Sequence, residues 1–268
     1  MNMAGSEFFV QAGLLSVALV FFLPAILFFT SIYNHHSIIV ILSAEEMQQV
    51  ISNDADHYYD KFHKVDYQVR NVKNKKSYLE KISQSGCNGE EECVKKIKDC
   101  IELIHSQLAT KRNQTINGIH IETFLNIPWR IGFTCDANYE NGLPHTRGDV
   151  IILNNRDIHK RTITEICKLL IHEKSHVYQK SQKKEMTAYL KANYTEVKQK
   201  DYTDESIPAN PDTDDFIYRC NKTNVVLGGK YEKNPTHFRD ISFTGNDHTL
   251  EHPYESIAYK MEDLFRSN

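Results

Sequence analysis

Residues 162–182, TITEICKLLIHEKSHVYQKSQ, predict one long helix that has to be buried. Thr162, followed three residues later by Glu165, forms the capping-box pattern that begins a helix. The apolar residues are too numerous for an exposed helix: Ile163, Ile166, Leu169, Leu170, Ile171 and Val177. The same helix carries His172, Glu173 and His176. Because burying three polar residues without partners is costly, any fold that accepts this helix must supply them with a partner.

These three polar residues have the spacing of a metal site. Residues four apart lie on one helix face, so His172 and His176 can bind a common ion. Glu173 is turned by about 100° from His172 and lies beside that ion, where it can accept a proton from bound water. Zinc lowers the pKa of such water to about 7. The pattern therefore predicts Zn²⁺ at the two histidines and a catalytic base at Glu173; the alternative is a structural histidine pair.

A catalytic zinc site needs a third protein ligand, and two glutamates share the local form Glu-x-x-Ala-Tyr. On a continuing helix Glu185 would lie roughly 13 Å further along the axis than His176, and no Gly or Pro between them turns the chain. Glu255 lies on a separate predicted helix that can pack across the first. We therefore expect Glu255 to be the third ligand; the alternative for Glu255 is a glutamate favoured by the dipole of its own helix.

HEKSH and the later HPYESIAY resemble the gluzincin-like zincin metallopeptidases. Together with PANPDTDDFIY, they look like poorly characterised members found in giant DNA viruses and some protists. The resemblance covers roughly residues 118–266 and implies an α+β zincin-like domain, zinc ligation by His172, His176 and Glu255, and Glu173 as the base. It also implies that GDVIIL, next to LPHT, is an edge strand that pairs with an extended substrate. The 79 positions from His176 to Glu255 exceed the separation in compact members.

Peptide hydrolysis also needs a donor to the oxyanion of the tetrahedral intermediate. Tyr259, one turn after Glu255 on the same predicted face, is the first choice. Other candidates are His145, Tyr178, His237 and Arg239. Asn210 and Asp212, in the sequence ANPD, are interpreted either as supports for a ligand histidine or simply as a turn.

The rest of the chain predicts a helical region over 44–117 and a catalytic domain over 118–268. Ser43 with Glu46 forms a capping box, and apolar residues recur at helical spacing to about residue 111. IHIETFLNIPWRIGFT and GDVIILNN are rich in β-branched and aromatic residues and predict strands. A last helix begins near Pro253. Six cysteines permit three disulfides without requiring them.

The N-terminal segment contains no charged residue from Phe8 to Tyr33. Roughly 20 helical residues cross a bilayer core of about 30 Å, so this run predicts a transmembrane anchor over 1–34; the alternative is a cleaved signal peptide. Three glycosylation triplets, at Asn113, Asn193 and Asn221, favour a lumenal or exterior catalytic domain. The expectation is a single-pass protein of a cellular or virion membrane.

The charge balance, 32 basic against 35 acidic residues, argues against a nucleic-acid binder with a broad basic surface. The functional expectation is a membrane-anchored zinc peptidase that acts on a peptide or protein, with Glu173 activating a zinc-bound water. One rival is a non-enzymatic structural or attachment module of a membrane or virion that keeps a zincin-like fold. Another is an adaptor built on the helices of 54–110.

Overall fold

The computed structural model describes residues 38–266, and from Ile39 onward these residues form one compact unit. Its mixed content confirms the α+β class. The strands are β1 Ile39–Ile41, β2 Gly86–Cys87, β3 Thr115–Ile116, β4 Ile119–His120, β5 Trp129–Thr134, β6 His145–Arg147, β7 Val150–Asn154, β8 Tyr194–Gln199, β9 Phe216–Cys220, β10 Gly229–Tyr231 and β11 Ile241–Phe243. The helices are α1 Ala44–Asn53, α2 Lys64–Val69, α3 Lys75–Lys81, α4 Glu91–Leu108, α5 Ile121–Asn126, α6 Asn155–Lys160, α7 Ile163–Ser181, α8 Lys183–Asn193 and α9 Pro253–Glu262.

A five-stranded sheet carries the site. Its strands follow the order β1-β5-β7-β6, and β2 also pairs with β5. β1 and β7 run parallel to β5, whereas β6 runs antiparallel to β7 and is the outermost strand on its side. The predicted edge strand, GDVIIL, is thus wrong in position: it forms β7, which lies inside the sheet. All five residues of β7 are buried, as expected of a continuous apolar run with both faces covered.

Side chains that alternate along β7 enter two different cores. Ile151 and Leu153 pack with α4 and α7, while Val150 and Ile152 pack with α1 and a group of tyrosines between residues 58 and 139. The sheet is therefore covered on both faces. α7 lies directly on it and receives α9 on another side.

Helix α5 corrects one predicted strand. The apolar residues Ile121, Phe124 and Leu125 have the spacing of one helix face, and all three are fully buried. His120 caps the helix, since its side chain accepts a hydrogen bond from the backbone of Thr123. The His120 cap and the helical spacing of the buried side chains outweigh the preference of these residues for β-structure.

The predicted starts of three other helices are confirmed. Ser43 and Thr162 form capping boxes at the starts of α1 and α7, and α9 begins at Pro253. Beyond α7 the chain forms two antiparallel pairs, β8–β9 and β10–β11. The described residues contain one disulfide, Cys87–Cys135; the thiols of the other four cysteines are free.

The expected localisation needs a correction. Among residues 38–266, no helix is long and apolar enough to cross a membrane. Even the long helices α4 and α7 carry charged side chains along their length. The predicted anchor over 1–34 lies outside the described residues, and the single-pass localisation with an exterior catalytic domain is not retained.

Candidate metal centre

Three side chains from two helices converge beside the sheet. Nε2 of His172 lies 3.3 Å from Oε2 of Glu255, and Nε2 of His176 lies 3.7 Å from the same oxygen. One ligand atom from each residue falls within 4.8 Å of the other two. Tetrahedral zinc, with ligands at about 2.0–2.1 Å, sets neighbouring ligand atoms about 3.4 Å apart. Both separations to Glu255 are close to that value, and all three separations lie within 4.8 Å, so His172, His176 and Glu255 could hold one ion; together with Glu173 they are called the candidate metal centre below.

Both histidines are held in the orientation that metal binding requires. Nδ1 of His172 donates to Glu262 at 2.8 Å, and Nδ1 of His176 donates to Oε1 of Gln179 at 2.9 Å. Gln179 in turn donates to the carbonyl of Tyr254 on α9. Nε2 of His176 is buried without a hydrogen-bond partner. A buried lone pair of this kind is the donor that a zinc ion uses, and outward Nδ1 bonds are its usual support.

The start of α9 positions Glu255, the expected third ligand. His252 caps the helix by accepting from the backbone of Tyr254, and its Nε2 lies 3.0 Å from Asp214. Pro253 occupies the first turn, where its missing N–H costs nothing. Glu255 follows in the same turn and is buried. The helix N-terminus favours its negative charge.

Glu173, the predicted base, follows His172 on α7. It is 4% exposed, and its Oε2 accepts from the hydroxyl of Thr146 on β6 at 3.0 Å. Burial, reinforced by the negative charge of Asp212, raises the pKa of Glu173 to about 8. A carboxylate with a pKa near neutrality can both take up and release a proton.

The charged groups of the centre are its own histidines and carboxylates. Burial opposes charge on His172, but its contacts with Glu255 and Glu262 hold its pKa well above the usual range. Burial lowers the pKa of His176. Within 38–266, neither Glu173 nor Glu255 forms an ion pair with a lysine or arginine. Without an ion, protonated His172 therefore pairs with ionised Glu255, and a bound divalent cation would have to displace the proton of His172.

A cleft of about 750 Å³ opens onto the centre. Tyr259 lies in it with its ring centroid 4.7 Å from that of His172. The walls come from the β6 end of the sheet, from α7 and α9, and from the β10–β11 region. Residues of the walls include Leu143, Leu169, Asn210, Phe238, Ile241 and Glu251.

The structure separates the candidate oxyanion donors. Tyr259, His145 and Arg239 line the cleft, whereas Tyr178 and His237 do not. The hydroxyl of Tyr178 accepts from the backbone of residue 120, beside a second cavity of about 530 Å³. Nδ1 of His145 donates to a backbone carbonyl, and its buried Nε2 has no partner.

The ANPD sequence supports the centre through the glutamate and not through a histidine. Asn210 donates to Oε1 of Glu255 at 3.4 Å and to Glu251 at 2.9 Å. Asp212 accepts from Thr146 on the edge strand. The turn interpretation is also confirmed, because the side chain of Asn210 accepts from the backbone of Asp212.

Two residues that support the centre, and one buried lysine of α7, escaped the sequence analysis. Glu262 lies seven residues after Glu255, and Gln179 three after His176; in both cases helical spacing places the pair on one face. Either spacing could have suggested the contact. Lys174 carried no such signal: its Nζ donates to two backbone carbonyls and lies 4.1 Å from the Trp129 ring, and burial lowers its pKa to about 7.

The rejected third-ligand candidate lies elsewhere. Glu185 is exposed on α8, which is separate from α7, and it borders the second cavity. Glu185 is absent from the candidate ligand group, as predicted, but the helix does not continue to it as the prediction assumed, because α7 ends at Ser181 and α8 begins at Lys183.

Comparisons with known proteins give no relative: no protein-family model, curated protein or solved structure matches the chain. A function has to be argued from the geometry of the candidate metal centre.

Proposed function

We propose that this protein is a zinc-dependent peptidase of the zincin type. His172, His176 and Glu255 would hold the ion, and Glu173 would be the general base. The observation that carries the proposal is the convergence of two Nε2 atoms and a carboxylate at zinc spacing, with a buried, high-pKa carboxylate beside them. The cleft that reaches this group gives a substrate access.

The steps of hydrolysis would be shared between the bound ion and three residues of the chain. Bound zinc would polarise the scissile carbonyl and acidify the attacking water. Glu173 would take the proton from that water and deliver it to the departing amine. Thr146 keeps the Glu173 carboxyl in place through its hydroxyl. Tyr259, next to His172, would donate to the oxyanion.

The direct test is Glu173→Gln in zinc-loaded protein, assayed on a mixed peptide library. We expect zinc to stay near one per chain and cleavage to fall by about 10²–10⁴-fold, the usual worth of a general base. Glu185→Gln, on an exposed residue of α8, is the matched control and should leave both unchanged.

Undiminished cleavage by Glu173→Gln would overturn the assigned base. Wild-type protein that binds zinc and cleaves nothing would support the rival, a non-enzymatic module that keeps the fold. The two outcomes are separated by measuring zinc and cleavage on the same sample.

A further inference from the structure

The edge strand beside the catalytic base has no free main-chain groups at Thr146. Its N–H donates to both carboxylate oxygens of Asp212 at 3.2 Å, and its carbonyl accepts from Nζ of Lys180 at 2.6 Å. Lys180 and Asp212 are themselves 2.9 Å apart. Outward N–H and C=O groups of an edge strand are what an extended peptide pairs with when it adds to a sheet. At Thr146, which also contacts Glu173, the Lys180–Asp212 ion pair makes the hydrogen bonds that such a peptide would make.

Arg147, the next residue of β6, is also covered. Arg147 is 3% exposed, and its guanidinium pairs with Asp54 at 2.7 Å and with Asp56 at 2.5 Å. These aspartates follow α1 and cover the far end of the strand. An extended peptide therefore finds the main-chain groups of Thr146, the β6 residue that contacts the base, already occupied.

The segment that carries Asp212 is a fixed wall of the cleft. We call Ile207–Asp212 the wall segment. Its first carbonyl is 2.9 Å from Nε2 of His63, and the N–H of Ala209 donates to buried Asp66 at 3.3 Å. Two prolines within it restrict the backbone. The wall segment is thus anchored at its start, middle and end.

The same segment reaches the ligand group. Asn210 donates to Glu255 and to Glu251, so the wall runs from the edge strand to α9. The volume of the cleft, about 750 Å³, lies within the range of roughly 300–1,000 Å³ typical of small-ligand pockets. This is room for a few residues.

From these contacts we infer that the cleft takes short peptides and binds them without adding a strand to the sheet. Long extended chains are poor substrates because the wall segment and the closed β6 edge leave no path for their flanking residues. This inference rests on the proposed peptidase function and names its substrate class.

A length series tests the inference in the zinc-loaded full chain. One cleaved sequence from the library is placed at the centre of quenched-fluorescence peptides of increasing length, from about six to about thirty residues. We expect kcat/KM to fall by about tenfold or more from the shortest to the longest peptide, which is a loss of transition-state stabilisation. Equal kcat/KM across the series would overturn the inference and leave the peptidase function standing.

A variant sharpens the test. Asp212→Ala frees the N–H of Thr146 and should raise the ratio of long-peptide to short-peptide kcat/KM. Asp201→Ala, an exposed aspartate earlier in the same connection, should leave that ratio as in the wild type. If Asp212→Ala is folded and its ratio is unchanged, the closed edge does not select substrates. If zinc-loaded wild type cleaves no peptide of any length, the inference falls together with the proposed function.

Discussion

Two buried polar clusters border the same cleft and differ in how their carboxylates are neutralised. The arginine cluster comprises Tyr58, Asp66, Arg70, Tyr78 and Glu140. Arg70 binds both carboxylate oxygens of Glu140, at 3.0 and 2.7 Å, and both tyrosines donate to the same carboxylate. Although burial opposes ionisation, Arg70 holds the pKa of Glu140 down at about 2.

The candidate metal centre is buried to a comparable degree, but the pKa of its Glu173 shifts in the opposite direction from that of Glu140. The pKa of Glu173 rises to about 8, and Nε2 of His176 has no hydrogen-bond partner. A buried charge is tolerated when paired and hydrogen-bonded, as in the arginine cluster. The difference teaches that the arginine cluster satisfies its carboxylate with a fixed cation of the chain, whereas the candidate metal centre pairs its carboxylate only with histidines, which is the arrangement that the proposed zinc ion would use.

The largest expected effect is on metal binding. His176→Ala removes a ligand, so the zinc content of dialysed protein should fall from about one per chain to near background, with loss of cleavage. Elemental analysis measures this. His159→Ala, on a histidine that pairs with Glu90 at the surface, is the control and should keep its zinc. Full zinc in His176→Ala would show that the ion binds elsewhere.

Breaking the arginine cluster should cost stability and spare the metal. Arg70→Met leaves the Glu140 carboxylate buried without its cation, which typically costs about 3–5 kcal/mol. Denaturant unfolding of the zinc-free protein gives the value. The surface pair of Arg130 with Asp149 provides the comparison, since Arg130→Met should cost about 1 kcal/mol or less. A large loss of zinc affinity in folded Arg70→Met would contradict the separation of the two clusters.

The smallest effect is expected from the residue that orients His172. Glu262→Gln weakens the hydrogen bond to Nδ1 and should reduce zinc affinity by about 10–100-fold. Competition with a chromogenic chelator measures the change. Asp263→Asn alters the adjacent exposed carboxylate and should leave affinity as it was. Equal affinities for the two variants would mean that Glu262 does not support the ligand.

The features that could be predicted from the sequence depend on residues that lie close together in the chain. Helix α7 follows from the Thr162 capping box and its apolar spacing, and the geometry of four-residue spacing brings His172 and His176 to one face. Glu255 was selected over Glu185 because a straight helix carries Glu185 away. Each of these arguments needs only a helix and its rise per residue.

The remainder depends on contacts between distant segments. Nothing local indicates that β6 and not β7 forms the edge, or that Asp212 caps Thr146 from 66 residues away. Helix α5 shows the complementary failure, where β-branched and aromatic residues form a helix because their spacing suits burial. Pairing partners and caps of this kind are set by the tertiary structure, which propensity does not describe.

The separation between α7 and α9 has a consequence for synthesis. Glu255 enters the chain 79 positions after His176 and carries its orienting partner, Glu262, on the same short helix. At translation rates of about 5–20 residues per second, the histidine pair exists for several seconds before its carboxylate ligand is made. In the proposed zinc enzyme, the final coordination of the ion can therefore form only after Glu255 has been made and α9 has docked.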